Sequence, residues 1–149
     1  MMKPRPITGT SVAVAIDNRS PLRGVLIMGK PASGKTDLAI RLVGDCPWQR
    51  SRLIADDQTL TEQRDGQIIM TPPAKIKGLL EMRGIGIIPV ANSESCPLAL
   101  IIEAVTERPP RLPEADNRFE ILGHWVPKIA LFAASASAPA RIRLFLQSQ

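Results

Sequence analysis

The amino-acid sequence predicts a single α/β domain in which a mixed β-sheet is flanked by a few helices. Three observations support this class. Short apolar or alternating runs, which are typical of strands, outnumber helical patterns along the 149 residues. One apolar run leads through a glycine-rich stretch into a helical pattern. Hydrophobic residues make up 44% of the chain and charged residues 22%, a composition that favours a folded domain over disorder.

The first elements are strands on either side of one helix. Residues 11–16 (SVAVAI) alternate small and β-branched residues and predict a strand. Residues 24–28 (GVLIM) form a continuous apolar run, as expected of a strand that is buried on both faces. From Thr36 the apolar residues recur at helical spacing, and Gly44 ends this helix. Residues 51–55 (SRLIA) predict another short strand.

The rest of the chain is predicted to contain further strands, a loop-rich segment and a terminal helix. Asp65 and Gly66 suit the positive φ angles of a hairpin turn, and Pro139 suits the first turn of a helix. In order, the predicted elements are a hairpin (58–70), a loop or single helical turn (72–86), two strands (85–90 and 97–105), a proline-stiffened surface loop (107–117), a strand (125–132) and a helix (135–147).

The glycine-rich stretch GKPASGKT satisfies the pattern G-x-x-x-x-G-K-[ST] at every fixed position. A strand enters it and a helix leaves it, which is the context of a P-loop. Small residues let backbone amides surround a phosphate, and the helix N-terminus adds partial positive charge. Lys35 would neutralise the β- and γ-phosphates, and the Thr36 hydroxyl would bind Mg²⁺. The alternative is a glycine turn that merely caps a helix. The predicted nucleotide-binding residues are Gly29, Lys30, Pro31, Ala32, Ser33, Gly34, Lys35 and Thr36.

Three carboxylates are candidates for the chemistry at this phosphate. The strand in LIADD ends at Asp56 and Asp57, a position that suits metal binding and proton transfer. The alternative is a solvated turn. Glu81, in LLEMRGIG, is a candidate to complete a Mg²⁺ site, and the alternative is a surface pair with Arg83.

Composition restricts the class of partner. The net charge of +5 favours an anionic partner, although a merely basic surface is the alternative. Aromatic residues are only 3% and Tyr is absent, so the stacking platforms of nucleic-acid binding are missing and no such partner is predicted. No run of about 18 apolar residues and no leader-like apolar core occurs, which predicts a cytoplasmic protein without membrane contact. Cys46 and Cys96 are predicted to be reduced packing residues.

Taken in order, these motifs resemble the HPr kinase/phosphorylase family. The matching stretches are GKPASGKTDLAIRL, LIADD, PPAKIKGLLEMRGIGII, PRLPE and ILGHWVPKI. EMRGIGI downstream of a P-loop is the most specific of them. The resemblance extends from about residue 12 to the end of the chain. It implies a P-loop-containing mixed β-sheet of the type common to HPr kinase and phosphoenolpyruvate carboxykinase, and a short form in which residues 1–149 are a single catalytic domain without the N-terminal domain.

The resemblance implies an ATP-dependent kinase that phosphorylates a serine of HPr, a carrier of the phosphotransferase system. It also implies a phosphorylase that removes this phosphate with inorganic phosphate and releases pyrophosphate. Carried over to this chain, the site residues are the P-loop lysine Lys35, the metal ligands Thr36 and Glu81, the proton acceptor Asp57, the metal-supporting Asp56 and the catalytic arginine Arg111.

The resemblance further implies a homo-oligomer, a hexamer. Thr8 stands where the family has a histidine linked to catalysis, so the balance of the two reactions is expected to differ. Two alternatives stay open at this stage. One is a nucleotide-sensing regulator that has lost turnover, which Thr8 favours. The other is a small-molecule P-loop kinase in which residues 107–118 would close over ATP, leaving EMRGIG without a role.

Overall fold

The computed structural model describes residues 3–113 and 117–149. In these residues the chain forms eleven strands, two α-helices and one turn of 3-10 helix. The strands are β1 (Arg5–Thr8), β2 (Thr10–Val14), β3 (Arg23–Met28), β4 (Arg52–Ala55), β5 (Gln58–Arg64), β6 (Gln67–Thr71), β7 (Leu79–Met82), β8 (Gly86–Pro89), β9 (Cys96–Val105), β10 (Arg118–Ile121) and β11 (His124–Phe132). The helices are α1 (Lys35–Gly44) and α2 (Ala138–Gln147), and the 3-10 turn is Ala74–Ile76.

The main sheet is mixed, as predicted. Its strands follow the order β1-β5-β6-β9-β3-β2-β4, and β11 pairs with both β9 and β10. The pairings β3–β9 and β9–β11 are parallel, whereas β2 pairs antiparallel with β3 and β4. The strands β7 and β8 form a separate antiparallel ribbon. The predicted α/β class, a mixed sheet flanked by few helices, is confirmed.

Two hydrophobic clusters cover the two faces of this sheet. Successive residues of β3 alternate between them: Val25 and Ile27 pack in the cluster that contains Leu38 of α1, whereas Leu26 packs in the other. Leu38 is fully buried, and burial of such a side chain contributes about 1.5–3 kcal/mol. The continuous apolar run therefore belongs to a strand that is buried on both faces, as predicted. Neither helix in the described ranges is long and apolar enough to cross a bilayer.

The two helices pack against the same hydrophobic cluster, and the Arg41 side chain links α1 to the segment just before α2. Leu42 of α1 and Ile142 of α2 are both buried in it. Arg41 on α1 donates to the Ser135 carbonyl at 2.9 Å and to the Ala133 carbonyl, just before α2 begins. Because α1 begins within residues 29–36, this contact fixes that stretch relative to the C-terminal part of the chain.

The structure contains strands that the sequence pattern does not predict. Residues 72–86 are predicted as a loop or a single helical turn, and Ala74–Ile76 is such a turn. The same segment also contains strand β7, because Glu81 and its neighbours pair with β8. The strands β1 and β10 are likewise unpredicted. Pro6 makes β1 an unusual strand sequence, which is tolerated because β1 lies at the edge of the sheet and pairs only with β5.

Candidate functional site

The stretch at residues 29–36 turns sharply between β3 and α1. Gly29 has a φ of 150°, and Gly34, immediately before α1, has a φ of 95°. A Cβ at Gly29 would lie 2.6 Å from Ser33 Oγ and 2.7 Å from the Ala104 carbonyl oxygen. These distances are too short for any side chain, so the turn requires glycine at this position.

Donors converge at this turn. The Lys35 ammonium donates to the carbonyl of Gly29 at 2.8 Å and to that of Lys30 at 3.1 Å. Ser33 Oγ is buried and, in the described part of the chain, has no hydrogen-bond partner. The first turn of α1 also leaves amide donors without intrahelical acceptors. A lysine, free amides and an unpaired buried hydroxyl together form a site whose chemistry complements an anion such as a phosphate.

The Asp56 carboxylate connects three segments that are distant in sequence. Its Oδ1 accepts hydrogen bonds from the hydroxyls of Thr36, at 3.2 Å, and Thr10, at 3.3 Å. Its Oδ2 accepts one from the Glu81 amide at 3.2 Å. Asp56 follows β4, so the end of that strand brings together the glycine-rich turn, the start of β2 and the β7–β8 ribbon.

Asp57 differs from its neighbour in both exposure and backbone. Its side chain is exposed, whereas Asp56 is half-buried. Its φ of 67° lies in the left-handed region, which aspartate tolerates better than most residues. The Asp57 amide donates to Thr10 Oγ1 at 3.1 Å, and its carbonyl accepts from the Gly9 amide at 2.8 Å. The carboxylate is therefore free to contact a substrate while its backbone is held.

Glu81 lies on β7 with an exposed side chain. Its backbone amide contacts Asp56, so its position next to the acidic pair is fixed by the main chain. Within residues 3–113 and 117–149, Glu81 and Arg83 form no ion pair, so the alternative of a surface pair gains no support. The metal-binding role of Glu81 stays a prediction.

These elements enclose a cleft of about 760 Å³. It is lined by Pro31, Ala32, Ser33, Gly34, Lys35, Thr36, Asp37, Ile40, Asp56, Asp57, Glu81, Met82, Arg83 and Ile85. The structure thus brings most of the predicted site residues to one place. The carbonyls of Gly29 and Lys30 join them through the Lys35 ammonium.

Arg111 does not lie in this cleft. It is exposed and lines a second cavity of about 810 Å³, together with residues of β9, β11 and α2 such as Arg141 and Phe145. The PRLPE motif continues beyond it to Glu114, which lies outside the described residues. The catalytic role of Arg111 therefore stays a prediction.

The oxygen donors at Asp56 fit a magnesium ion. Mg²⁺ prefers oxygen ligands, and it usually takes one or two carboxylates plus water and phosphate oxygens rather than a complete protein cage. The hydroxyl of Thr36 and the carboxylate of Asp56 are 3.2 Å apart, and Glu81 adjoins them. No group of three or more histidine, cysteine or acidic residues that could hold a metal occurs in the described ranges.

The sequence analysis does not predict that Thr10 contacts the acidic pair Asp56 and Asp57. A usable signal was present: Thr10 and Ser11 are polar residues at the start of an otherwise apolar strand. Both are buried, and buried hydroxyls need partners. Ser11 finds one in the Thr59 hydroxyl at 2.8 Å, and Thr10 finds its partners in Asp56 and Asp57.

Two similar proteins carry the name HPr kinase/phosphorylase. The protein of Limosilactobacillus reuteri (strain DSM 20016) is 36% identical over 120 residues, which cover 72% of this chain and 36% of that protein. The protein of Lactiplantibacillus plantarum is 46% identical over 70 residues, which cover 46% of this chain and 21% of that protein. The matched residues thus span about a third of the length of the first relative and about a fifth of the second.

A solved structure and a family profile agree with these relatives. The structure of the Hpr(Ser) kinase/phosphatase from Coxiella burnetii has a TM-score of 0.76 and is 23% identical, with 97% of this chain and 89% of that chain covered. At this identity the match supports the fold alone. Residues 21–142 match the HPr Serine kinase C-terminal domain. The predicted resemblance is confirmed, and the chain belongs to the HPr serine kinase C-terminal domain family.

Proposed function

We propose that this chain contains the active centre of an ATP-dependent kinase that phosphorylates a serine of the phosphocarrier HPr. One observation carries the proposal: the Asp56 carboxylate accepts hydrogen bonds from both Thr36 and the Glu81 amide. These bonds join the P-loop motif and the EMRGIGI motif in one cleft. A small-molecule P-loop kinase gives the second motif no role. The names of the relatives support HPr as the acceptor.

In the proposed mechanism, residues 29–36 bind the phosphates of ATP. The Lys35 ammonium and the loop amides neutralise the charge that develops on the phosphoryl oxygens. Thr36, Glu81 and Asp56 would hold Mg²⁺, which when bound withdraws charge from the phosphates. Arg111 would add a further positive charge. Because it lies outside the cleft, its loop would have to approach the site first.

Asp57 acts as the proton acceptor in the transfer step. The serine oxygen of HPr attacks the γ-phosphorus, and the bond from this phosphorus to the β–γ bridging oxygen breaks. ADP leaves and the serine proton passes to Asp57. The exposed carboxylate on a held backbone supports this role, because a general base must reach its proton at a defined distance.

We also propose the reverse use of the same site for phosphorolysis. Inorganic phosphate attacks the phosphoserine phosphorus, the serine oxygen leaves with a proton from Asp57, and pyrophosphate is released. Thr8 occupies the position of the family's histidine and lies in β1, where its hydroxyl accepts from the Gln58 amide group at 3.3 Å. We therefore expect the kinase reaction to exceed the phosphorolysis when both are measured on one preparation.

Single-turnover transfer from labelled ATP to purified HPr tests the proposal. Lys35→Ala and Glu81→Ala should weaken Mg-nucleotide binding at least about tenfold, because they remove phosphate and metal contacts. Asp57→Asn should leave that binding within about threefold and lower the transfer rate by roughly two to four orders of magnitude. Asparagine suits this variant because it also tolerates the left-handed backbone.

Asp65→Asn is the matched control, because Asp65 is an exposed aspartate with a φ of 52° in the β5–β6 turn. It should behave as the wild type in binding and transfer. Normal turnover in Asp57→Asn would reject Asp57 as the base. Nucleotide binding by the wild type without any phosphoserine would reject the kinase and indicate a nucleotide-binding regulator instead.

A further inference from the structure

One buried hydroxyl contacts both members of the acidic pair. Thr10 is 1% exposed, and its Oγ1 donates to Asp56 Oδ1 at 3.3 Å while it accepts from the Asp57 amide at 3.1 Å. A hydroxyl has one donor and two acceptor sites, so the two bonds can form together. We propose that Thr10 is a positioning residue that holds Asp56 and Asp57 for phosphoryl transfer. This inference rests on the proposed function, in which Asp57 accepts the serine proton.

The backbone of Asp57 is held at both of its polar groups. The amide donates to Thr10 Oγ1, and the carbonyl accepts from the Gly9 amide at 2.8 Å. The residue has a φ of 67°, a left-handed conformation that is uncommon outside glycine, and these two hydrogen bonds stabilise it. The dipeptide Gly9–Thr10 therefore supplies the contacts that hold the Asp57 backbone, and with it the point from which the carboxylate extends.

This dipeptide is itself tightly packed against the strand that leads into the P-loop motif. A Cβ at Gly9 would lie 2.8 Å from Leu26 Cδ1 and 3.0 Å from the Ile27 carbonyl oxygen. Both residues belong to β3, which continues directly into residues 29–36. The position of Asp57 is thus set relative to the strand that ends at the predicted phosphate site.

The other hydrogen bond of Thr10 goes to the same carboxylate oxygen of Asp56 that accepts a hydrogen bond from Thr36. Thr10 and Thr36 both donate to Asp56 Oδ1. Loss of the Thr10 hydroxyl would leave Asp56 with its bonds from Thr36 and from the Glu81 amide, so this carboxylate keeps its place at the cleft. The Asp57 amide, in contrast, would lose Thr10 Oγ1, the acceptor of its hydrogen bond. Removal of the hydroxyl should therefore affect transfer more than nucleotide binding.

Three variants separate positioning from general stability. Thr10→Val removes the hydroxyl at nearly constant volume, and Thr10→Ser keeps it. Thr61→Val is the matched control: Thr61 is also a buried strand threonine, 3% exposed, and its hydroxyl donates to the Arg5 carbonyl at 3.0 Å, outside the residues that line the cleft. Both valine variants should remain folded, and Thr10→Val should lower the melting temperature somewhat more, because it removes two hydrogen bonds whereas Thr61→Val removes one.

We expect Thr10→Val to lower kcat for HPr phosphorylation at least about tenfold, since small misplacement of a catalytic group is costly in rate. The Kd for Mg-ATP should stay within about threefold. Thr10→Ser should recover most of kcat, and Thr61→Val should retain it. Equal losses of kcat in Thr10→Val and Thr61→Val would overturn the inference, and so would a Thr10→Ser variant as slow as Thr10→Val.

A readout that does not need activity distinguishes this inference from the proposed function. Hydrogen exchange at the Asp57 amide should be at least about tenfold faster in Thr10→Val and unchanged in Thr61→Val, because only the first variant removes its acceptor. Unchanged exchange in Thr10→Val would overturn the positioning role. If exchange responds as expected but the wild type transfers no phosphate to HPr, the kinase proposal fails while the contact of Thr10 with Asp57 stands.

Discussion

Two neighbouring aspartates differ in their surroundings, and the roles proposed for them rest on this difference. Asp56 is half-buried and accepts three hydrogen bonds, from Thr10, Thr36 and the Glu81 amide. Asp57 is exposed and has its backbone, rather than its carboxylate, held in place. A carboxylate held by several donors is suited to fix structure and, through a remaining lone pair, to support a metal, whereas an exposed carboxylate is suited to exchange a proton. The difference arises because the chain turns sharply at Asp57.

A third aspartate, Asp17, has a pKa well below its ordinary value and organises the turn between β2 and β3. Its carboxylate accepts from the Ser20 hydroxyl at 2.5 Å and from the amides of Ser20, at 2.6 Å, and Arg19, at 2.9 Å. These bonds, led by that from the Ser20 hydroxyl, lower the pKa of Asp17 from 3.8 to about 2. The stabilisation is therefore complete above about pH 4 and is lost as the pH falls through about 2.

We expect Asp17→Asn to lower the free energy of unfolding at pH 6, because the neutral amide accepts weaker hydrogen bonds than the carboxylate. The gap between this variant and the wild type should narrow as the pH falls below 3, where the wild-type carboxylate becomes protonated. Urea denaturation across this pH range measures the gap, with Asp65→Asn as the control for removal of an exposed carboxylate. A gap that stays constant down to pH 2 would contradict the assigned hydrogen bonds.

At the scale of elements, the close approach of β3 to β9 positions the glycine-rich turn. Gly24 at the start of β3 pairs with Leu98 of β9. A Cβ at Gly24 would lie 2.2 Å from the Pro97 carbonyl oxygen and 2.8 Å from Met70 Cε. The first of these atoms belongs to the backbone, so a side chain can be accommodated only if the two strands separate.

Gly24→Ala should therefore destabilise the domain by about 1–3 kcal/mol or more, the range for overpacking a well-packed core. Gly44→Ala is the matched control, because a Cβ at Gly44 meets nothing within 4 Å at the end of α1. It should be neutral or stabilising by up to about 1 kcal/mol, since alanine is the better helix former. Urea unfolding of both variants tests this, and equal stability of the two would disprove the proposed role of the β3–β9 contact.

The way in which the elements pair also explains which parts of the fold and of the candidate site can be predicted from the sequence. The turn between β3 and α1 follows from local pattern, because strand, glycine spacing and helix are adjacent in the chain. β1 could not be predicted in this way, since it depends on pairing of Arg5–Thr8 with residues of β5 that lie 50 or more positions away. For the same reason the pattern missed Thr10, whose partners Asp56 and Asp57 lie 46 and 47 positions away. Arg111 lines a cavity together with residues of β9, β11 and α2, an arrangement that local sequence pattern does not reveal.

At the scale of the whole molecule, several large apolar side chains remain exposed. Ile85 and Ile87 are 69% and 66% exposed on the β7–β8 ribbon, and Leu144 is 64% exposed on α2. Single exposed apolar residues are ordinary on a monomer, whereas larger patches indicate contact with another surface. The family resemblance predicts a hexamer, and the exposed side of α2 is the surface to test first because it lies on a helix whose other side is buried in the core.

We expect the purified chain to run as a hexamer at micromolar concentration in size-exclusion chromatography with light scattering. Leu144→Glu should reduce the measured mass, because a charge placed in an apolar contact must lose its hydration. The variant should remain folded, since Leu144 is exposed, and circular dichroism and melting temperature would verify this. Gln149→Glu, an exposed change of charge just beyond α2, is the control and should leave the mass unchanged. A monomeric wild type would contradict the hexamer, and a hexameric Leu144→Glu would exclude this side of α2 from the contact.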